Sequence, residues 1–191
     1  MLSIANTVPA LTLYSTTNDR CPIEYAKSIK NPTEVENFRN YLKIDSIALA
    51  TVLAKVEKIM EDPASDLTEY GVAQMLMETR ANLSRYESSD FEKILKNCTA
   101  SDYRGEAFGA ISAIGENAAN PHYDPPVENS APLRRDTTFL LDQGGQYIGA
   151  TCDVTRTVYF GEPPQDVKDS YTRVLQVTVL NKMSSWQIKI P

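Results

Sequence analysis

Residues 138–160 read TFLLDQGGQYIGATCDVTRTVYF, an apolar run that ends in Asp142, a glycine turn, and a β-branched run that carries Asp153. The pattern predicts two neighbouring extended segments, each of which presents a carboxylate. Like charges held close together are costly unless a cation neutralises them, and carboxylate oxygens suit divalent cations. This stretch therefore indicates metal-assisted hydrolysis.

Each aspartate also has an ordinary structural interpretation. An aspartate that precedes glycines, as Asp142 does, is more often a turn residue whose side chain caps local backbone groups. Asp153 can equally be a strand aspartate that pairs with the nearby Arg156. From the residues alone, both interpretations stay open beside the metal site.

Simple hairpin geometry argues against a site shared by the two aspartates. A two-residue turn at positions 144 and 145 would leave Asp153 about six residues beyond the partner of Asp142, roughly 20 Å away at about 3.3 Å per residue. The carboxylates can meet only if residues 148–152 leave the ladder. Gly149 is the natural place for a bulge or loop, so we predict that the chain folds back there.

The composition indicates a soluble globular protein of about one domain. The chain has 191 residues, of which 42% are hydrophobic, and a formal net charge of -6. No basic run is available for phosphates, so we expect no nucleic acid partner. No segment approaches the roughly 18 to 20 apolar residues of a membrane span, and no basic patch of a secretory signal opens the chain. We therefore expect no membrane association and a cytoplasmic location.

Helices are predicted before the strand pattern. Asn31-Pro32-Thr33-Glu34 is a capped helix start, and that helix should run to about Glu61. A second helix is predicted to open with Asp66-Leu67-Thr68-Glu69 and to end near Arg85. Further along the chain, the patterns predict a strand over 108–114, a strand over 137–141, and a helix that begins at residues 163–164 and loses its pattern near Met183.

His122 is the only histidine in the chain. A lone loop histidine is usually a surface residue, yet this one lies between a glycine-asparagine loop and a proline-rich turn, where functional residues collect. The cysteines at positions 21, 98 and 152 have no paired spacing, so we expect reduced, structural thiols. Cys152 directly precedes Asp153, which makes it the one thiol that could lie near a metal.

Three segments carry a resemblance to a known family: GENAANPHY (115–123), LLDQGGQY (140–147) and TCDVTRTVYFG (151–161). Together they resemble the catalytic domain of Xaa-Pro aminopeptidases, in the creatinase and methionine aminopeptidase superfamily. Residues 22–39 resemble the beginning of that domain. The resemblance implies an α+β protein that forms the first half of a pita-bread fold, with long helices packed on an antiparallel sheet. Residues 1–31 would be a connector or the end of a preceding domain, and residues 32–191 a partial domain truncated on its C-terminal side.

The resemblance also implies a function. Asp142 would bind one metal ion through both oxygens, Asp153 would bridge two ions, and His122 would contact substrate and assist proton movement. The ions would be Mn²⁺, with Co²⁺ or Zn²⁺ as alternatives. The implied reaction releases the N-terminal residue from peptides with proline in second position, in an enzyme that can be a homodimer.

This sequence departs from the family in its ligand set. A family member completes the metal site with a histidine and two glutamates far downstream, whereas no histidine follows Asp153 here. We therefore expect this chain alone to be incomplete for catalysis. Two alternatives remain: a non-catalytic truncated paralogue or fragment that associates with another chain, and a peptide-binding module that keeps the fold without the metals.

Overall fold

A computed structural model of the chain describes residues 21–83 and 99–185, and side chains as far as residue 180. The chain divides into two compact units, Met1–Val35 and Glu36–Pro191. In the first unit, helix α1 spans Pro22–Ser28 and leaves the apolar side chains of Ile23 and Tyr25 exposed. Cys98, the predicted helix end near Arg85 and most of the predicted connector lie outside the described residues.

Helix α2 spans Pro32–Ile59 and begins where the capping signal predicted. The Asn31 side chain accepts a 2.9 Å hydrogen bond from the Glu34 backbone N–H, and the Glu34 carboxylate accepts a 2.8 Å bond from the Asn31 N–H. This reciprocal pair is a capping box. One face of the helix is buried along its length, at Asn40, Tyr41, Ile44, Asp45, Ala48, Leu49, Val52 and Val56.

Helix α3 spans Glu69–Ala81 and begins later than the sequence predicted. Its cap is Thr68, whose hydroxyl accepts a 3.1 Å hydrogen bond from the Gly71 N–H, so the prediction that the helix opens at Asp66 was wrong. The reason is tertiary: Leu67 accepts a 2.8 Å backbone hydrogen bond from Leu133, and Thr68 forms an isolated bridge with Pro132. These contacts hold the residues before Glu69 in an extended conformation.

The described strands form two antiparallel sheets. Strand β1 (Tyr103–Glu106) pairs with β4 (Gly145–Tyr147), and β3 (Thr138–Gln143) lies between β2 (Ile111–Ile114) and β5 (Val154–Tyr159). The strand predicted over 108–114 is therefore shorter, and the one predicted over 137–141 extends to Gln143. The main core contains Val72 and Leu76 from α3 together with Phe139, Leu141 and Tyr147.

The last described helix, α4, spans Gln165–Ser185 and begins close to the predicted position. Its large apolar side chains are mostly exposed, among them Tyr171, Val174 and Leu180. Across the two described ranges, no helix combines the length and the apolar character needed to cross a bilayer.

Candidate functional site

The chain folds back between Asp142 and Asp153, as predicted. After β3, residues 145–147 leave the sheet to pair with β1, and the chain bends at Ile148 and Gly149. The Tyr147 N–H then donates to the Ala150 carbonyl at 2.9 Å, and the Cys152 N–H donates to the Gly145 carbonyl at 2.9 Å. We call residues 144–153 the return loop. Because this loop forms its own short ladder, its residues do not lengthen the β3–β5 hairpin and do not separate the two aspartates along it.

The register of β3 against β5 places Asp142 opposite Thr155 and Gln143 opposite Val154. Asp153 is thus one residue beyond the last pair and diagonal to Asp142, and diagonal neighbours in an antiparallel pair lie about 7 to 8 Å apart. Gly144 permits this close return, since a Cβ there would lie 1.7 Å from the Cys152 carbonyl oxygen. Both aspartates therefore lie at the same end of the β3–β5 pair.

The structure argues against the ordinary interpretations of the two aspartates. Asp142 belongs to β3 and is half-buried, and its Oδ1 accepts a 2.6 Å hydrogen bond from the Thr155 hydroxyl on the neighbouring strand. It does not cap a turn. Asp153 is exposed, and within residues 99–185 the Arg156 guanidinium donates to the Thr155 carbonyl at 2.7 Å and forms no ion pair with Asp153.

His122 is exposed on a loop that a buried glutamate anchors. Glu69, which is fully buried, accepts hydrogen bonds from the Ile114 N–H at 2.7 Å, from Asn117 Nδ2 at 2.9 Å and from the Tyr123 hydroxyl. Burial and, after it, the hydrogen bond to Glu69 raise the pKa of Tyr123 to about 12. The hydrogen bond of the neighbouring Tyr123 to Glu69 therefore holds the backbone of His122 in place, while the His122 side chain is exposed to solvent.

A buried ionic network lies behind the return loop, and its role was not found from the sequence. Arg80 binds Asp45 through two hydrogen bonds, Nε to Oδ1 at 2.8 Å and Nη2 to Oδ2 at 3.1 Å, and its Nη1 binds Glu106. Glu106 also accepts a hydrogen bond from Tyr103, and Asp45 accepts one from Tyr147 at 3.1 Å. Burial, followed by the charge of Asp45, raises the pKa of Tyr147.

Cys152 is fully buried beside this network. Burial first, and then the negative charge of Asp45, raises the pKa of its thiol to about 12. Cys152 therefore fills space in the core, as expected of a structural cysteine.

The carboxylates of Asp142 and Asp153, at the end of the β3–β5 pair, suit a divalent cation, but two side chains alone make an incomplete ligand set. No group of three or more histidine, cysteine, aspartate or glutamate side chains within residues 21–83 and 99–185 is placed to hold a metal ion. The structure thus brings Asp142 and Asp153 to one end of the sheet and does not bring His122 into a three-ligand cluster with them. The predicted ligand roles remain predictions.

Comparison with known proteins gives a consistent result. Residues 36–183 match metallopeptidase family M24. Aminopeptidase P1 of Arabidopsis thaliana is 34% identical over 166 residues, which cover 81% of this chain and 24% of that protein. A probable Xaa-Pro aminopeptidase P of Coprinopsis cinerea is 35% identical over 158 residues, which cover 82% of this chain and 22% of that protein. This chain thus spans about a quarter or less of the length of these relatives.

Solved structures show the same likeness. The X-prolyl aminopeptidase of Caenorhabditis elegans, described as a cytosolic enzyme with a di-nuclear active site, aligns with a TM-score of 0.62 and 32% identity over 76% of this chain and 21% of that one. The Xaa-Pro dipeptidase of Bacillus anthracis aligns with a TM-score of 0.61 and 23% identity over 82% of this chain and 36% of that one. These likenesses confirm the predicted α+β, pita-bread type of fold.

Proposed function

Because the chain belongs to metallopeptidase family M24, we propose that it carries part of the active site of a metal-dependent aminopeptidase. The proposed reaction releases the N-terminal residue from peptides with proline in second position, and the relatives named Xaa-Pro aminopeptidase support that choice. The observation that carries the proposal is the β3–β5 register, which brings Asp142 and Asp153 to one end of the sheet.

Each predicted site residue has a distinct role in this proposal. Asp142, oriented by the Thr155 hydroxyl at 2.6 Å, would bind one cation, and the exposed Asp153 would bridge two. When bound, two such cations supply Lewis-acid stabilisation and lower the pKa of water. His122, on the loop anchored by Glu69, contacts the peptide and assists proton movement.

The identity of the cations is part of the proposal. The di-nuclear site described for the C. elegans enzyme supports two ions. Carboxylate oxygens suit Mn²⁺, and Co²⁺ and Zn²⁺ are the alternatives. The family resemblance also implies a histidine and two glutamates as ligands, and no histidine follows Asp153 in these 191 residues.

The organisation of the protein is proposed on the same basis. Residues 32–191 form part of a catalytic domain, and residues 1–31 form a connector. The C. elegans enzyme is described as cytosolic, which supports a cytoplasmic location. A homodimer is a further prediction, to be checked by analytical ultracentrifugation.

One observation favours a second function, association with another polypeptide. The exposed apolar side chains of Tyr171, Val174 and Leu180 on α4 provide a surface for it. Such a non-catalytic role does not require cation binding at Asp142 and Asp153. The presence of both carboxylates at one end of the sheet speaks for the metallopeptidase and against a module that binds peptides without metals.

Mn²⁺ titration of the 191-residue chain, followed by calorimetry, tests the proposal. We expect weak but measurable binding that Asp142→Asn and Asp153→Asn each abolish and that Asp66→Asn, a change at an exposed aspartate before α3, leaves unchanged. Binding that all three variants retain equally would refute the metal site. A coupled assay with a proline-second peptide and Mn²⁺ separates the two functions, since turnover lost in Asp153→Asn would exclude the non-catalytic one.

A further inference from the structure

A cluster of buried charges contacts the return loop that joins the two proposed metal ligands. The side chains of Asp45 and Arg80 are fully buried, and that of Glu106 is 19% exposed. A charge in the interior is stable only when it is paired and hydrogen-bonded, and replacement by apolar groups is often no less stable. Stability of the fold alone therefore does not explain why three ionised groups meet at this point.

Asp45 extends this network to the return loop. Its Oδ1, already bound to Arg80 Nε, also accepts the Gly145 backbone N–H at 3.2 Å and the Tyr147 hydroxyl at 3.1 Å. The approach is close, because a Cβ on residue 145 would lie 2.7 Å from the same Oδ1. A side chain of α2 thus fixes a peptide group in the return loop.

Because Gly145 is held by Asp45, it also restricts where the proposed ligands can lie. Its carbonyl accepts the Cys152 N–H at 2.9 Å, and Cys152 is covalently joined to Asp153. On its other side, Gly145 is three residues from Asp142 in the same chain. One buried carboxylate is therefore linked, through the single residue Gly145, to both ends of the segment that separates the two aspartates.

We infer that Asp45, held in place by Arg80 and Glu106, is a positioning residue that keeps the return loop closed and so presents Asp153 beside Asp142. The inference rests on the proposed function for its catalytic meaning. The mechanical part, that Asp45 keeps the loop closed, can be tested without any metal. Asp45 is assigned no contact with the reacting groups and acts through Gly145 and Tyr147, both in the return loop.

Cys152 provides the test, because it is fully buried in the closed loop. In a background in which Cys21 and Cys98 are replaced by serine, the rate at which a thiol reagent modifies Cys152 under native conditions reports opening of the return loop. Urea unfolding of the same samples reports global stability. We compare Asp45→Asn with Leu76→Ala, which leaves a cavity in the core but removes no hydrogen bond to the return loop.

We expect Asp45→Asn to accelerate modification of Cys152 by about tenfold or more beyond what its loss of global stability accounts for. Leu76→Ala should accelerate it only in proportion to global unfolding. If both variants follow the same relation between labelling rate and global stability, Asp45 has a merely structural role and the inference fails.

A second pair of variants decides the matter if Asp45→Asn does not fold. Gly145→Ala places a methyl group against the Asp45 carboxylate, whereas Gly109→Ala meets no atom within 4 Å. Faster labelling of Cys152 in Gly145→Ala alone supports the inference, and equal labelling in both variants overturns it.

Mn²⁺ titration of the same variants separates this inference from the proposed function. Opening of the loop should weaken Mn²⁺ binding by about 10- to 100-fold, the usual effect of losing an outer support. If the wild-type chain binds no Mn²⁺ while the labelling result stands, the metal site fails and the positioning of the loop by Asp45 survives.

Discussion

The hydroxyl of Thr155 donates a 2.6 Å hydrogen bond to Oδ1 of Asp142 across the β3–β5 pair. The two residues are direct partners in the register, so the backbone holds them opposite each other. The bond restricts the rotation of the Asp142 carboxylate and leaves Oδ2 available. An oriented carboxylate binds a cation better than a freely rotating one, because less freedom is lost on binding.

The first prediction follows from this bond. Thr155→Val keeps the β-branched shape but removes the donor, so we expect Mn²⁺ affinity to fall by about 10-fold or more. Thr157→Val, on the same strand and also exposed, is the matched control and should leave affinity unchanged. Calorimetric titration measures both, and an equal loss in the two variants would show that Thr155 does not orient the ligand.

The second prediction concerns the anchor of the His122 loop. Tyr123→Phe removes the hydroxyl that donates to Glu69, and leaving a buried carboxylate with one donor fewer should cost about 1 to 3 kcal/mol of unfolding free energy. Urea denaturation provides the measurement. Tyr70→Phe, at another half-buried tyrosine, should cost less, and the opposite order would contradict the anchoring role of Glu69.

The third prediction is a loss of stability in alkali. The pKa of Tyr123 is about 12 in the folded chain, against an ordinary value of 10.0 for tyrosine, so the unfolded chain releases this proton at lower pH than the folded one. The contribution of Tyr123 is thus fully present below pH 10 and is lost as the pH rises towards about 12. Tyr147 acts in the same direction, since burial raises its pKa as well.

Urea unfolding at a series of pH values measures this effect. Between pH 10 and about 12, the unfolding free energy of Tyr123→Phe should decline less steeply than that of the wild-type chain. Parallel declines would mean that the phenol has the same pKa in the folded and unfolded states.

The fourth prediction concerns the beginning of the return loop. In Gly144→Ala the new Cβ would overlap the Cys152 carbonyl oxygen, at 1.7 Å, and backbone cannot move aside as a flexible side chain can. We expect a loss of at least about 3 kcal/mol, as in severe overpacking. Gly109→Ala, in open space, should stay within about 0.5 kcal/mol of wild type. Thermal unfolding compares them, and similar melting temperatures would be incompatible with the close return.

Local signals in the sequence predicted local structure well. The capping box of Asn31 and Glu34 predicted the beginning of α2, and the glycine at position 149 predicted the bend between Asp142 and Asp153. Both depend on residues close together in the chain. The beginning of α3 was misplaced because Leu133 holds Leu67 in an extended conformation, and that contact joins positions far apart in sequence.

The buried polar groups could not be predicted for the same reason. Asp45 lies 35 residues from Arg80, and Glu106 lies 26 residues beyond it, so no spacing rule connects them. A charged residue in a helical pattern is normally assigned to the solvent-exposed face of the helix. Glu69 was predicted only as part of the start of the second helix, whereas its carboxylate also supports the His122 loop.

The buried ion-pair network of Asp45, Arg80 and Glu106 also constrains how the sequence of this protein can change in evolution. Removing one member leaves an uncompensated charge in a dry environment, which is far more damaging than exchanging the whole set for apolar residues. Selection should therefore remove single substitutions at these positions, whereas replacement of all three residues together should be tolerated. Across related sequences the three positions should co-vary, inherited together or lost together.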